Sequence, residues 1–261
     1  MLVALVDDAA IFPPGDVPFD EAVQAYAARS DGDGAELVGS FVLRDTDLPR
    51  LTDPVAPVSI VCTGGAGQLA GPTKWIRRTH VEPAGMEVAV RDLDDPAGNV
   101  RRIVTAIDDL ETEWPVFVEL PPTPTDHRWL AAADVAAEAG LRLKFRTGGL
   151  EADAFPSSEV LAGWIDAALD RETAFKCTAG LHRAVRHTGE DGFEHHGFLN
   201  VLVATGRAFD GASRDEVVAV LEDRDLAPGI DDLAAGRRWF WSFGSCSVAE
   251  PWADLREMGL A

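Results

Sequence analysis

At 261 residues the chain is long enough for one α/β barrel of about 250 residues, and its 46% hydrophobic content separates it from a disordered acidic segment. Forty-four acidic residues against 23 basic ones leave a net charge of -21, which argues against nucleic acid or an anionic membrane surface as a partner. Cys62, Cys177 and Cys246 are odd in number, widely spaced and free of a Cys-x-x-Cys pair, so neither a disulfide framework nor a zinc finger is indicated.

The acid excess is distributed along the chain rather than gathered in a tail. Asp-rich, Lys-poor surfaces of this kind resemble those of proteins from salt-loaded cytoplasm, where screening suppresses self-repulsion. Asp7 and Asp8 interrupt the N-terminus before a signal-peptide core could form, and no apolar run approaches the roughly 18 residues of a membrane span. A soluble, cytoplasmic protein is expected.

In chain order, short apolar runs bounded by turn residues predict strands at 2–6, 37–43, 58–62, 86–90, 116–120, 141–145, 173–177 and 239–243. Amphipathic stretches at 20–28, 100–110, 127–139 and 156–169 predict helices between them, and Ser157-Ser158-Glu159 after Pro156 has the form of a helix start. This alternation, without a composition break, predicts one (β/α)8 TIM barrel over residues 1–261. An open doubly wound sheet is the competing architecture, but Gly64-Gly65-Ala66-Gly67 lacks the spacing of a dinucleotide fingerprint. The connection after the seventh strand, residues 181–238, is much longer than the rest. It begins at the catalytic rim of a barrel and is expected to supply a lid or cap.

The lysines carry the chemistry of the sequence. There are three against 20 arginines, and two of them, Lys144 and Lys176, sit near the ends of the sixth and seventh strands before glycines. Arginine replaces lysine as a charge or an anion clamp but cannot provide a neutral primary amine. Side chains alternate along a strand, so the parity that buries Leu143 and Phe145 under helices turns Lys144 and Arg146 inward. The same rule turns Lys176 and Thr178 inward on the seventh strand, Phe117 and Glu119 on the fifth, and Glu87, Ala89 and Arg91 on the fourth. Two ammonium groups on neighbouring strands disfavour each other's protonation, so one lysine is expected to have a depressed pKa and to act as a nucleophile towards carbonyls. The alternative is a structural plug of ion pairs, Lys176 with Glu119 and Arg146 with an acid.

These segments resemble the class I aldolases of the deoxyribose-phosphate aldolase type. That family carries Lys-Thr-Ser-Thr-Gly-Phe on its sixth strand, matched here at Lys144, Thr147 and Gly148, while Phe145, Arg146 and Gly149 differ. Its Lys-Ala-Ser-Gly-Gly-Ile and following basic residue are similar to Lys176 through His182, and its Gly-Thr-Ser-Ser to Gly244-Ser245-Cys246-Ser247. The opening segment from Val6 to Pro14 is similar to the family's Asp-His-Thr-Leu-Leu-x-Pro. The set Phe-Pro-Pro, Arg-Thr-Gly-Gly, Thr-Ala-Gly-Leu-His and Phe-Gly-Ser-Cys-Ser also resembles a bacterial barrel family without an assigned activity.

The resemblance implies a Schiff-base lyase acting on a small aldehyde or ketose, phosphorylated or not, with Lys144 as nucleophile and no cofactor. Lys176 tunes the nucleophile, and Arg146 and Thr178 bind substrate. One departure matters: the acid of the family's Glu-x-Asp motif falls at Ala89, which leaves proton transfer to Glu119 or to an acid of the first loop.

Backbone amides of Gly180, Gly244 and Ser245, with the hydroxyls of Ser245 and Ser247, would suit a phosphate or carboxylate after strands seven and eight, and Gly148 and His182 are further candidate substrate-binding residues. Four of the six histidines, His182, His187, His195 and His196, lie within 15 residues. A metal-dependent hydrolase or isomerase built on that loop is the second enzymatic reading, although no His-x-His or His-Glu-x-x-His spacing is present and no metal ligand is assigned. A non-catalytic barrel is the third. The expected partner is a small-molecule substrate, and a homo-oligomer is left open.

Overall fold

The computed structural model describes residues 2–29, 32–51, 57–79, 81–111 and 113–261. The apolar runs become strands β1 (Val6–Asp8), β2 (Val38–Arg44), β3 (Val58–Cys62), β4 (Pro83–Ala89), β5 (Val116–Glu119), β6 (Arg142–Arg146) and β7 (Phe175–Thr178). After β7 comes a short antiparallel hairpin, β8 (His187–Thr188) and β9 (Glu194–His195), and the last strand is β10 (Phe240–Ser245). The ring order is β1-β10-β7-β6-β5-β4-β3-β2, closed, with every neighbouring pair parallel. The (β/α)8 expectation therefore holds, and the open-sheet alternative is removed.

Helices α1 (Phe19–Ala28), α2 (Ala70–Ile76), α3 (Pro96–Asp108), α4 (His127–Glu138) and α5 (Ser158–Leu169) cover the outside of the strands, and α9 (Ala249–Glu257) follows β10. Three of them, α3, α4 and α5, start on side-chain acceptors. The Asp95 carboxylate accepts from the Gly98 amide, Asp126 from Arg128 and Trp129, and Ser157 from Val160, as the serine pair after Pro156 predicts. The apolar faces of these helices meet the outward residues of the strands. Phe145 packs 5.5 Å from Trp164 and 4.8 Å from Phe175 between ring centroids, and Phe175 lies 5.5 Å from Phe240. Among the described residues no helix is long and apolar enough to cross a membrane.

The long connection contains the hairpin and three helices, α6 (Phe198–Phe209), α7 (Arg214–Glu222) and α8 (Ile230–Arg237). Of these elements the hairpin reaches the mouth of the barrel, as does His182 ahead of it: His195 packs 4.6 Å from Phe155, and its Nδ1 lies 3.3 Å from the Gly180 carbonyl. Helix α6 is buried along its first nine residues and packs against α7, α8 and β10.

Strand β4 begins three residues before its expected start, at Pro83, and β1 and β10 run on past their expected ends for one reason. An apolar-run criterion stops at acids and small polar residues, but inward barrel positions accept them. Strand β1 starts at Val6, because Ala4 turns into the left-handed region at φ 52°, and it continues through Asp7 and Asp8. Strand β10 continues to Ser245. A register shift between Phe240 and Phe243 falls at Trp241. Its ring lies 6.3 Å from that of the inward Phe117, and the Arg142 guanidinium stacks over it at 3.7 Å.

Candidate active site

The inward positions of β1, β4, β5, β6 and β7 assemble a chain of alternating charge. Lys176 Nζ donates to Asp7 Oδ2 and to Glu87 Oε1, both at 2.6 Å. Lys144 Nζ lies 2.7 Å from Glu87 Oε2 and 2.8 Å from Glu119 Oε2. Arg146 Nε donates to Glu119 Oε1 at 2.9 Å. Asp7 also accepts from the hydroxyls of Ser40 and Ser242 at 2.6 Å each, and Ser40 is 2.7 Å from the Ser59 hydroxyl. Read in order, Asp7, Lys176, Glu87, Lys144, Glu119 and Arg146 sum to zero charge. That balance is what allows two ammonium groups, each no more than 3% exposed, to remain ionised inside the barrel.

This arrangement brings together Lys144, Lys176, Glu119 and Arg146, and it corrects two expectations. Lys144 and Lys176 are register partners on adjacent strands, but Glu87 reaches between their heads. Burial pulls both lysines towards the neutral amine, and the flanking carboxylates, Glu119 and Glu87 for Lys144, Asp7 and Glu87 for Lys176, outweigh it and raise both pKa values. Neither lysine is depressed. The pairing also differs from the expected Lys176–Glu119 contact, since Glu119 serves Lys144 and Arg146 instead. Glu87 and Asp7 are the residues that sequence reasoning underweights. Strand parity already turns Glu87 inward, and Asp7 directly follows the first apolar run.

Above the charge chain lies a cavity of about 570 Å³ at the C-terminal ends of the strands, which contains Glu87, Glu119, Lys144, Arg146, Lys176 and Thr178 in its wall. Gly180, Gly244 and His182 also line it, together with Arg91 from β4's end. Gly148, Ser245 and Ser247 are not among the lining residues. The Ser245 hydroxyl donates to the Ser247 carbonyl at 2.6 Å and lies 3.2 Å from His182 Nδ1, and the Ser247 hydroxyl accepts from the Glu250 amide at 3.3 Å. Glu250 itself places a carboxylate 3.5 Å from His182. The end of β10 thus uses its hydroxyls internally and has an acid close by, while Arg91 and Arg146 add two guanidinium groups to the cavity wall.

The motif glycines have a packing reason. The loops after β6 and β7 touch: the Thr147 hydroxyl donates to the Ala179 carbonyl at 2.6 Å, and Gly148 lies against Gly180. A Cβ on Gly180 would stand 2.8 Å from the Thr147 carbonyl oxygen, on a backbone with φ +77°. Gly180→Ala is therefore expected to destabilise the protein by at least about 1–2 kcal/mol from the left-handed backbone alone, read as a lower urea midpoint. An unchanged midpoint would show that the two loops can separate freely.

The histidines divide into two groups. His182 and His195 line the cavity, with His195 Nε2 3.0 Å from Asp191. His196 is wholly buried against the Pro156 carbonyl at 2.9 Å and Arg186 at 3.2 Å, and burial pushes it down to about 4. The His187 ring lies tilted against that of His195, 5.1 Å between centroids, and burial lowers its pKa too. Among the described residues no group of three or more His, Cys, Asp or Glu side chains is arranged to hold a metal ion.

No protein-family model and no curated protein matches this sequence. Among solved structures, the chain is similar to one from Toxoplasma gondii ME49 provisionally assigned as a deoxyribose-phosphate aldolase, with a TM-score of 0.54 and 12% identity over 99% of this chain and 91% of that one. The likeness is one of fold, remote in sequence, and it agrees with the barrel and with the deoxyribose-phosphate aldolase resemblance of the strand motifs.

Proposed function

We propose that this barrel is a class I aldolase-like lyase that forms a Schiff base between Lys144 and a small aldehyde or ketose. The observation that carries the reading is the Lys144 ammonium at the wall of the cavity, held 2.8 Å from Glu119 and 2.7 Å from Glu87. A raised pKa is compatible with this chemistry because the product is also a cation. Glu119 takes a proton from the ammonium as the carbonyl enters, and the neutral amine attacks the carbonyl carbon to give a carbinolamine. Glu119 returns that proton to the departing hydroxyl, water leaves, and the iminium retains the single positive charge that both carboxylates stabilise. In the lyase direction Glu119, again a carboxylate, takes the proton of the iminium's β-hydroxyl as the Cα–Cβ bond breaks, releasing an aldehyde. The remaining enamine takes a proton at Cα and is hydrolysed from the lysine.

In this assignment Glu119 stands in for the acid that the family has where this chain has Ala89. Lys176 neutralises Glu87 and so limits its hold on Lys144, and Arg146 with Thr178 and Gly180 contacts the substrate. Borohydride added with short aldehydes and ketoses is expected to fix one adduct per chain. Peptide mapping distinguishes the three lysines and is expected to place it on Lys144, not on Lys176 in the same cavity wall or on the exposed Lys74 of α2. An adduct confined to Lys74, or none with any carbonyl compound, would overturn the reading.

A further inference from the structure

The cavity is divided into two unlike walls. The charged wall comes from β4 to β7. The opposite one is built from Phe12, Pro13, Val42, Val61 and Cys62. Val42 and Val61 lie two residues beyond Ser40 and Ser59, whose hydroxyls meet beside Asp7 inside the barrel, so strand alternation turns both valines inward. Neither belongs to the apolar core between strands and helices. Two polar groups on this side are already engaged. The Thr63 hydroxyl donates to Asp45 at 2.7 Å, and the Arg44 guanidinium stacks 4.4 Å from the centre of the Phe12 ring. Burial holds the Cys62 thiol protonated, where it behaves as a small apolar group.

Ring order fixes the relation of this wall to the nucleophile. Strand β2 stands four places from β6 in either direction around the eight strands, so Val42 is diametrically opposite Lys144. A substituent on a carbonyl carbon bound to Lys144 that extends away from β6 runs towards β2 and β3. It meets the carbon of Phe12, Val42 and Val61 there, where an alkyl chain is covered and a hydroxyl loses water, while the Arg91 side chain stands at the edge of this wall beside Gly65.

Resting on the Schiff-base reading, we infer that the substrate class is a carbonyl compound with an apolar arm of several carbons, seated against Phe12, Val42 and Val61, rather than a polyhydroxylated sugar. An aliphatic arm gains about four-fold in affinity for each methylene taken from water into such a wall. A site built to recognise hydroxyls would show the reverse preference, because its own donors and acceptors would be left unpaired by an alkyl chain.

The test uses borohydride trapping across ethanal, propanal, butanal and pentanal, with glycolaldehyde and glyceraldehyde as hydroxylated counterparts of ethanal and propanal. The half-saturating concentration is expected to fall about four-fold per added methylene, and each hydroxylated compound should saturate at a higher concentration than its alkyl counterpart. Val42→Asn should flatten the dependence on chain length, bringing the ethanal-to-pentanal ratio close to one. A parallel calorimetric titration with unreactive amides, from acetamide to pentanamide, reads the wall without lysine chemistry. Trapping on Lys144 without chain-length preference, or with preference for glyceraldehyde, sinks the apolar-arm inference and leaves the aldolase reading standing. Amide binding that strengthens with chain length while no aldehyde is trapped does the opposite. Amides that bind with no trend overturn the wall whether or not trapping occurs.

Discussion

Lys144→Arg abolishes borohydride trapping and leaves a folded barrel. The guanidinium keeps a positive charge beside Glu87 and Glu119, so the charge chain from Asp7 to Arg146 still sums to zero, but it cannot become a neutral amine and attack a carbonyl. Labelling is expected to drop to the background given by exposed Lys74, with circular dichroism unchanged. Two further variants separate charge coupling from simple damage, because they move the pH profile in opposite directions. Glu119→Gln removes one of the carboxylates that raise the Lys144 pKa, so the rising limb of trapping shifts to lower pH, while loss of the proton carrier slows the reaction by about 10²–10⁴-fold. Lys176→Met removes the cation that shares Glu87 with Lys144, which leaves more of that carboxylate's field on Lys144 and shifts the limb to higher pH. If Lys144→Arg traps as well as the parent protein, the lysines are a structural plug and the aldolase reading is wrong.

The parts of this site that were legible in the sequence are those governed by strand alternation. Period two alone turns Glu119, Lys144, Arg146, Lys176 and Thr178 inward, and the structure places all five in the cavity wall. Which acid meets which lysine is not a property of alternation. Strands β4 and β6 are separated by β5, yet Glu87 and Lys144 touch because long side chains from non-adjacent strands converge towards the barrel axis. That convergence depends on the closed ring, so a pairwise reading of neighbouring strands finds the two lysines and misses the carboxylate between them. The depressed pKa expected from lysine proximity fails for the same reason. The glycines of the β6 and β7 loops are visible as a motif, but their role in loop contact requires knowing that the loops touch. Helix α8 offers little pattern to read, since only Leu233 and Gly236 along it are buried.

Glu87 should be the keystone of acid stability. Burial raises the pKa of its carboxyl, but Lys144 and Lys176 outweigh it and bring it down to about 2, from an ordinary value of 4.5. A folded-state pKa below the unfolded one gives stability that is present above the unfolded value and lost as pH falls. Here the loss runs from about pH 4.5 down to about 2, and the difference corresponds to about 3 kcal/mol at neutral pH. Glu87→Gln removes that contribution and leaves two buried ammonium groups facing each other across a neutral amide, an expected cost of about 3–5 kcal/mol at pH 7. Because protonation of Glu87 in the parent protein imitates the substitution, the two stability curves should converge on acidification. Urea unfolding at pH 7 and at pH 3, followed by tryptophan fluorescence, gives the comparison: a large gap at pH 7 that narrows at pH 3 is the expected result. A gap of the same size at both values would mean that Glu87 acts through packing, and that its ionisation does not hold the two lysines in place.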